Sequence, residues 1–503
     1  MRRKLIAVLA VVAMVATLAV TATAATPVDT EDLRVAVTEG GVRTHQQAFQ
    51  AHADANSGTR ASGTPGYDAS ADYVADLLED AGFDVERQVF DFSFFTENSS
   101  SLSVDSVAIA TQTMSFSGSG VVTAGNVIAV DLDLGLGNSS TSGCEAADFT
   151  PHDWSGTNDI ALIQRGACAF GLKATNAQAA GADAVIIFNQ GNTTDPGRQD
   201  IIGGTLGEDV VGVLNIPVLD TSYSDGLVVL GGTTVDLAAD TTIITNTTEN
   251  VIAESPGGRD DRVVVVGAHL DSVPAGPGIQ DNGSGSAAIL EIALQMAELG
   301  IEPRNQVRFA WWSAEESGLL GSQFYVDGLS RRDIKDIALN LNFDMIGSPN
   351  FVRFVYDGDG SATGTSGPNG SGNIENVFLD YFASEGLATE PTAFDGRSDY
   401  GPFIAVGIPA GGLFTGAEGI KTPEQVAIYG GNAGVQYDPC YHLACDTFAN
   451  ISLTALNQNS DAAAHAVLTY AMTTSSVKGA DKGATNSTKT VEDLEFKGSL
   501  AQR

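Results

Sequence analysis

Five short blocks of this chain carry residues able to hold metal ions. They are GAHLDS with His269 and Asp271, QDNGSGS with Asp281, WWSAEESG with Glu315 and Glu316, LNFDMIG with Asp344, and CYHLACD with Tyr441 and His442. Zinc accepts imidazole nitrogen and carboxylate oxygen, and a catalytic zinc site keeps a position open for water. The chemistry indicated is hydrolysis by two Zn2+ ions per chain. One ligand must bridge the two ions. A carboxylate can do so through its two oxygens, and an imidazole cannot. Asp281 lies in a glycine-rich turn where backbone approaches closely, so it is the natural bridge. His269 and Asp344 then complete one ion, and Glu316 and His442 the other. Asp271, two residues beyond His269, is placed to hold that imidazole in one tautomer.

Glu315 and Glu316 are adjacent, so their side chains diverge and do not share a metal. Glu315 is left as the general base, taking a proton from the attacking water and returning it to the leaving amine. Tyr441, beside a ligand, can donate a hydrogen bond to a developing oxyanion. Of the remaining histidines, His45, His52, His152 and His465 match none of the ligand blocks and read as structural or surface residues. Trp311 and Trp312 read as core.

The elements that must position these residues follow from hydropathy. Residues 263–266 form a continuous β-branched run, as expected of a strand buried on both faces. Strands are also predicted at 306–312, 337–343 and 410–414. Helices are predicted at 284–299, from 318, at 374–384 and at 453–472. Alternation of this kind implies an α/β fold: a mostly parallel central sheet with helices on both faces. Ligands bind such sheets beyond the carboxyl ends of the strands, where His269, Glu315, Glu316 and Asp344 fall. Earlier in the chain, residues 29–56 and 67–81 read as helices and 85–95 as a strand. Residues 99–120 are rich in serine and glycine and read as a boundary.

The formal charge is −37, from 62 acidic and 25 basic residues. That excludes a nucleic-acid binder, which needs a basic surface. Residues 1–25 read as a signal peptide: Arg2, Arg3 and Lys4, an apolar stretch from Leu5 to Val20, then Ala22-Thr23-Ala24. The apolar stretch is short for a membrane span, which needs about 20 residues. A secreted chain without stable membrane association is expected, and a monomer is the default state. The four cysteines suit an oxidising compartment. Local pairing, Cys144–Cys168 and Cys440–Cys445, is the simplest arrangement; a cysteine zinc site would need closer spacing. The Cys440–Cys445 loop would fix Tyr441 and His442. The polar tail from 476 to 503 reads as disordered.

Two resemblances follow from these blocks. Residues Arg165-Gly166-Ala167-Cys168-Ala169-Phe170, Lys173 and Ala179-Ala180-Gly181-Ala182 resemble a protease-associated (PA) domain. That implies a β-rich α+β insertion at about 120–239, acting as a lid or substrate gate. It would divide the peptidase domain into parts at 26–119 and 240–475. The order His–Asp–Glu-Glu–Asp–His over about 263–468 resembles secreted dizinc aminopeptidases of the leucine aminopeptidase and aminopeptidase Y type. The resemblance implies the roles given above. It further implies that Arg397 lies at the substrate rim, that Met345 and Phe414 line the first specificity pocket, and that the Asp281–Asn282 peptide is cis. Some members bind calcium, whose ligands the sequence does not place.

The expected substrates are peptides with a free N-terminus and an apolar, leucine-like first residue. A dizinc carboxypeptidase of the glutamate-carboxypeptidase kind is the alternative. It would need several cationic groups for a substrate carboxylate, and Arg397 is the obvious one near the site blocks. A catalytically inactive protein working through its PA segment is a third reading, against which the intact Glu315 counts.

Overall fold

The computed structural model describes residues 28–194 and 196–478. The expected signal peptide and most of the polar tail lie outside these residues. The tail's first residues differ from expectation: Ser475–Lys478 is helical, and Val477 packs into the core.

The strands in chain order are β1 (Asp84–Val104), β2 (Val107–Ile109), β3 (Gln112–Thr113), β4 (Gly120–Val130), β5 (Asp159–Gln164), β6 (Ala184–Phe188), β7 (Val218–Thr221), β8 (Val235–Glu254), β9 (Arg259–His269), β10 (Asn305–Trp312), β11 (Ile337–Phe343), β12 (Phe354–Tyr356), β13 (Glu390–Thr392) and β14 (Ala410–Phe414). They form one 14-stranded sheet, ordered β13-β12-β14-β11-β9-β10-β8-β4-β5-β6-β7-β3, with β1 beside β8 and β2 beside β1 off that path.

In the catalytic part, β14, β11, β9 and β10 are parallel neighbours. Side chains alternate between faces with period two, and β9 shows what that does. Val264 and Val266 enter one core, with helices Glu39–Ala55, Pro65–Asp80, Gly283–Glu298 and Leu453–Met472. Val263 and Val265 enter the opposite core, with Tyr325, Val326 and Phe403. Trp311 and Trp312 divide the same way, one to each face. Both are wholly buried, as predicted. Helix Gly283–Glu298 is buried along almost its whole first three turns, because outer helices cover the side that the sheet does not.

The PA segment repeats the plan on a smaller scale. Strands β4, β5, β6 and β7 are parallel. Ala161, Ile163, Val185 and Ile187 pack against helix Phe170–Ala180 on one side. Ile160, Leu162, Ile186 and Phe188 pack with Val229 on the other.

A long antiparallel ribbon of β1 and β8 joins the two parts. Its pairs run from Asp84↔Glu254 to Val104↔Val235. One end of β8 pairs with β10 and the other with β4. The serine-rich stretch therefore begins as strand: Leu102 and Val104 point inward while Ser101 and Ser103 face outward. Strand β3 then pairs with β7, so the chain joins the PA sheet before residue 120. The expected helix over 29–56 is broken in two, because the Thr38 side chain caps the start of Glu39–Ala55.

Candidate metal centre

His269 is the last residue of β9 and is buried. Its Nε2 lies 3.2 Å from Asp281 Oδ1 and 3.3 Å from Asp344 Oδ1. Its Nδ1 faces the Asp271 backbone carbonyl at 3.2 Å and the Asp271 carboxylate at 3.5 Å. On the other side, His442 Nε2 lies 3.3 Å from Asp281 Oδ2 and 3.0 Å from Glu316 Oε2. Asp281 thus turns one oxygen to each imidazole. Candidate donor atoms of His269, Asp281 and Asp344 lie within 4.8 Å of one another, as do those of Asp281, Glu316 and His442.

Short-range structure explains each placement. Asp281 sits one residue before the Asn282 cap of helix Gly283–Glu298, and the peptide between them is cis. The Asn282 carboxamide accepts from Gly285 N–H and Met345 N–H and donates to the Phe343 carbonyl, so it couples the Asp281 turn to the Asp344 loop. Glu315 and Glu316 follow β10 in a tight turn entered through Ala314 at φ +52°. The turn is closed by Gly318 and Leu319 N–H groups donating to the Glu315 carbonyl. Ser398 donates to Asp344 Oδ2 at 2.5 Å. Both expected disulfides are formed, and Cys440–Cys445 encloses Tyr441 and His442. The Tyr441 and His442 rings stack with centroids 3.8 Å apart.

The residues present fit a pair of divalent cations. Carboxylates outnumber the imidazoles, and burying unpaired charge is costly. Among the described residues, Asp344 Oδ1 and Glu316 Oε1 are buried and have no hydrogen-bond donor. Burial pushes the Glu315 carboxyl well above the usual range, although His269 opposes the shift. Burial works against a charged His442 ring, yet Glu316 and Asp281 hold its pKa up at about 10. A second acidic group, Asp357, Asp359 and Glu375, lies elsewhere. Asp357 already accepts N–H groups from Ser361, Ala362 and Thr363, which gives no ground for a calcium assignment.

A cavity of about 410 Å3 opens over these ligands. Met345, Phe414 and Arg397 line it together with Tyr441. Arg397 donates to Glu418 at 2.7 Å and to Tyr441 Oη at 3.3 Å. Its ion-pair partner is therefore Glu418, not the neighbouring Asp395 or Asp399.

A model of the PA domain matches residues 122–228 and a model of peptidase family M28 matches residues 250–467. An aminopeptidase of Pseudomonas aeruginosa is 49% identical over 428 residues, covering 83% of this chain and 78% of that protein. The chain belongs to peptidase family M28. Leucine aminopeptidase 2 of Trichophyton equinum is 42% identical over 436 residues, covering 86% and 83% of the two chains. A zinc aminopeptidase structure from Bacillus subtilis superposes with a TM-score of 0.59 at 26% identity, covering 86% of this chain and 94% of that one. With this set of relatives, the M28 chain is a metalloexopeptidase carrying a PA domain.

Several residues that support this M28 site carry no role in the sequence reading of the blocks. Arg60 is completely buried, and its guanidinium donates to the carbonyls of Leu270, Pro277 and Gly278, the loop between His269 and Asp281. Asp271 and Asp446 offset the burial, which nevertheless lowers its pKa to about 10. Ser62 accepts Ala314 N–H and meets Ser313, so the same segment also steadies the Glu315 turn. Asp446 accepts the backbone N–H groups of Gln280 and Asp281, each at 2.9 Å. Asp446 lies within the CYHLACD block and could have been suspected there. Arg60 follows a turn far from every block, and no local signal marks it.

Proposed function

We propose that this M28 chain is a secreted metallo-aminopeptidase that removes apolar, leucine-like residues from peptide N-termini. The observation that carries the reading is Asp281, with one carboxylate oxygen toward each imidazole. His269, Asp281 and Asp344 would hold one zinc ion, and Asp281, Glu316 and His442 the other. Bound there, zinc supplies Lewis acidity that polarises a carbonyl and acidifies water.

The chain's own groups do the rest. Glu315 lines the cavity beside His269, largely out of solvent, which suits a group that takes a proton from water and passes it to the leaving amine. Asp271 fixes the His269 ring by facing Nδ1. The Tyr441 hydroxyl stabilises the oxyanion, and Arg397 steadies that hydroxyl. Met345 and Phe414 receive the apolar first side chain. The acidic site suits a protonated α-amine. Arg397 is the lone Arg or Lys among the cavity-lining residues, and Glu418 already engages it, which disfavours a carboxypeptidase. The names of the P. aeruginosa, T. equinum and B. subtilis relatives support both the reaction and zinc.

Hydrolysis of leucine p-nitroanilide beside its N-acetylated form tests the reading, with wild type, Glu315→Gln and chelator-treated protein. The free amine alone should be cleaved, and both the substitution and the chelator should abolish turnover. An inert free-amine substrate with zinc-loaded wild type would remove the aminopeptidase claim.

A further inference from the structure

The sheet order places the centre between two different apolar walls. The ligand-bearing strands β11, β9 and β10 are central. On one side lie β14, β12 and β13, which contribute Phe414, Tyr356 and Thr392 to the cavity. Met345, following β11, belongs to that side. On the other side of β10 lies β8 with its partner β1, leading to the PA sheet. From there Phe94 and Phe95 of β1 and Phe116 and Thr205 of the PA segment line the same cavity. An aminopeptidase substrate has a single residue before the scissile bond and the whole remaining chain after it. If the first residue occupies the Met345–Phe414 side, the remainder leaves over the centre toward the PA side.

Phe116 is a second, independent pointer. It has φ +67°, a conformation that costs a bulky residue energy and persists where the surroundings impose it. Here they do. Ser115 N–H donates to the Gly204 carbonyl, and Leu206 N–H donates back to the Ser115 carbonyl, each at 3.0 Å. Ser117 accepts Val218 N–H, which fixes the following residue. Asp220 accepts the N–H groups of Gly203 and Gly204, which steadies the loop carrying Thr205. The Phe116 ring meets the Phe95 ring with centroids 5.9 Å apart. Phe116 is itself buried in the PA core, so the backbone holds a ring of the PA segment behind the half-buried Phe95 where the catalytic cavity ends.

We propose that Phe116 and Phe95, with Phe94, form a subsite for the residue just after the scissile bond, and that this subsite favours large apolar or aromatic side chains. The PA segment is then a specificity wall of the enzyme. This rests on the aminopeptidase reading above.

The test compares kcat/KM for Leu-Phe-Gly and Leu-Gly-Gly in zinc-loaded full-length protein, with leucinamide as a substrate lacking a second residue. Wild type should favour Leu-Phe-Gly by about tenfold or more, the scale on which apolar pockets discriminate. Phe116→Gly removes the ring and tolerates the positive φ. Phe95→Ala removes the partner ring from a half-buried position and gives the same readout should the first variant fold poorly. Each should reduce the preference ratio to near unity. A ratio unchanged in both variants, or no preference in wild type, overturns the subsite while leucinamide turnover leaves the aminopeptidase reading standing. Wild type inert toward leucinamide overturns both.

Discussion

The catalytic sheet and the PA sheet of this chain share a plan: parallel strands buried on both faces between helices. They differ at the carboxyl ends of their strands. In the PA part most polar side chains there have partners within the fold, although Asp220 Oδ1 and Asn192 Oδ1 are buried without one. Gln164, ending β5, accepts Asp133 N–H and donates to the carbonyls of Asp133 and Gln190. Asn189, after β6, donates to the Asp200 carbonyl and accepts Gln190 N–H. Thr221, ending β7, donates to the Ala110 carbonyl. In the catalytic part the strand ends carry His269, Glu315, Glu316 and Asp344, and Asp344 Oδ1 and Glu316 Oε1 are buried without hydrogen-bond donors. A parallel sheet offers a site at this end, but only a strand end left unsatisfied by its own fold is available to a ligand.

This contrast can be broken most forcefully at the centre. Glu315→Gln should lower kcat by about 10²–10⁴-fold, the usual contribution of a general base, with zinc content retained by elemental analysis. Glu316→Gln should instead lose zinc, and its metal-free stability should stay close to wild type, because relief of the carboxylate's burial cost offsets the lost His442 ion pair. A large loss of metal-free stability in Glu316→Gln would mean that these ends are structural too.

Arg60→Met should be next in size. It leaves the Leu270, Pro277 and Gly278 carbonyls without their donor, and each buried orphan costs about 1–3 kcal/mol. Denaturant unfolding should show a loss of about 3 kcal/mol or more, and zinc retention against a chelator should weaken. Gln164→Leu should cost about 2 kcal/mol by the same reasoning, while leucinamide kcat stays near wild type.

The smallest effect depends on pH. Burial raises the Asp220 carboxyl to about 7, against the pull of the Gly204 and Gly203 N–H groups. An unfolded aspartate titrates near about 3.9. The stability carried by the neutral form is therefore fully present below about pH 4 and lost as pH rises through about 7. Asp220→Asn should leave the melting temperature little changed at pH 4. By pH 8 it should raise stability on the order of 1–2 kcal/mol. A difference independent of pH would contradict the assignment.

The ligand blocks, the alternation of strands and helices and the local cysteine pairs were legible because each is a short-range pattern. Three things were not. The β1–β8 ribbon was hidden because composition masked alternation: Ser101-Leu102-Ser103-Val104 reads as a linker by content and as strand by period. Arg60 acts on a loop more than 200 residues away, and nothing local marks a cation whose partners are carbonyls. The approach of Phe116 to the catalytic cavity depends on how the ribbon docks the PA segment, which no window of sequence contains.

The most direct test of the account is anomalous diffraction from zinc-loaded crystals, recorded on both sides of the zinc absorption edge. Two peaks are predicted, one among His269, Asp281 and Asp344 and one among Asp281, Glu316 and His442, with one Asp281 oxygen directed at each. A single peak, or a pair in which Asp281 contacts only one ion, would contradict the bridged two-zinc centre on which the proposed chemistry rests.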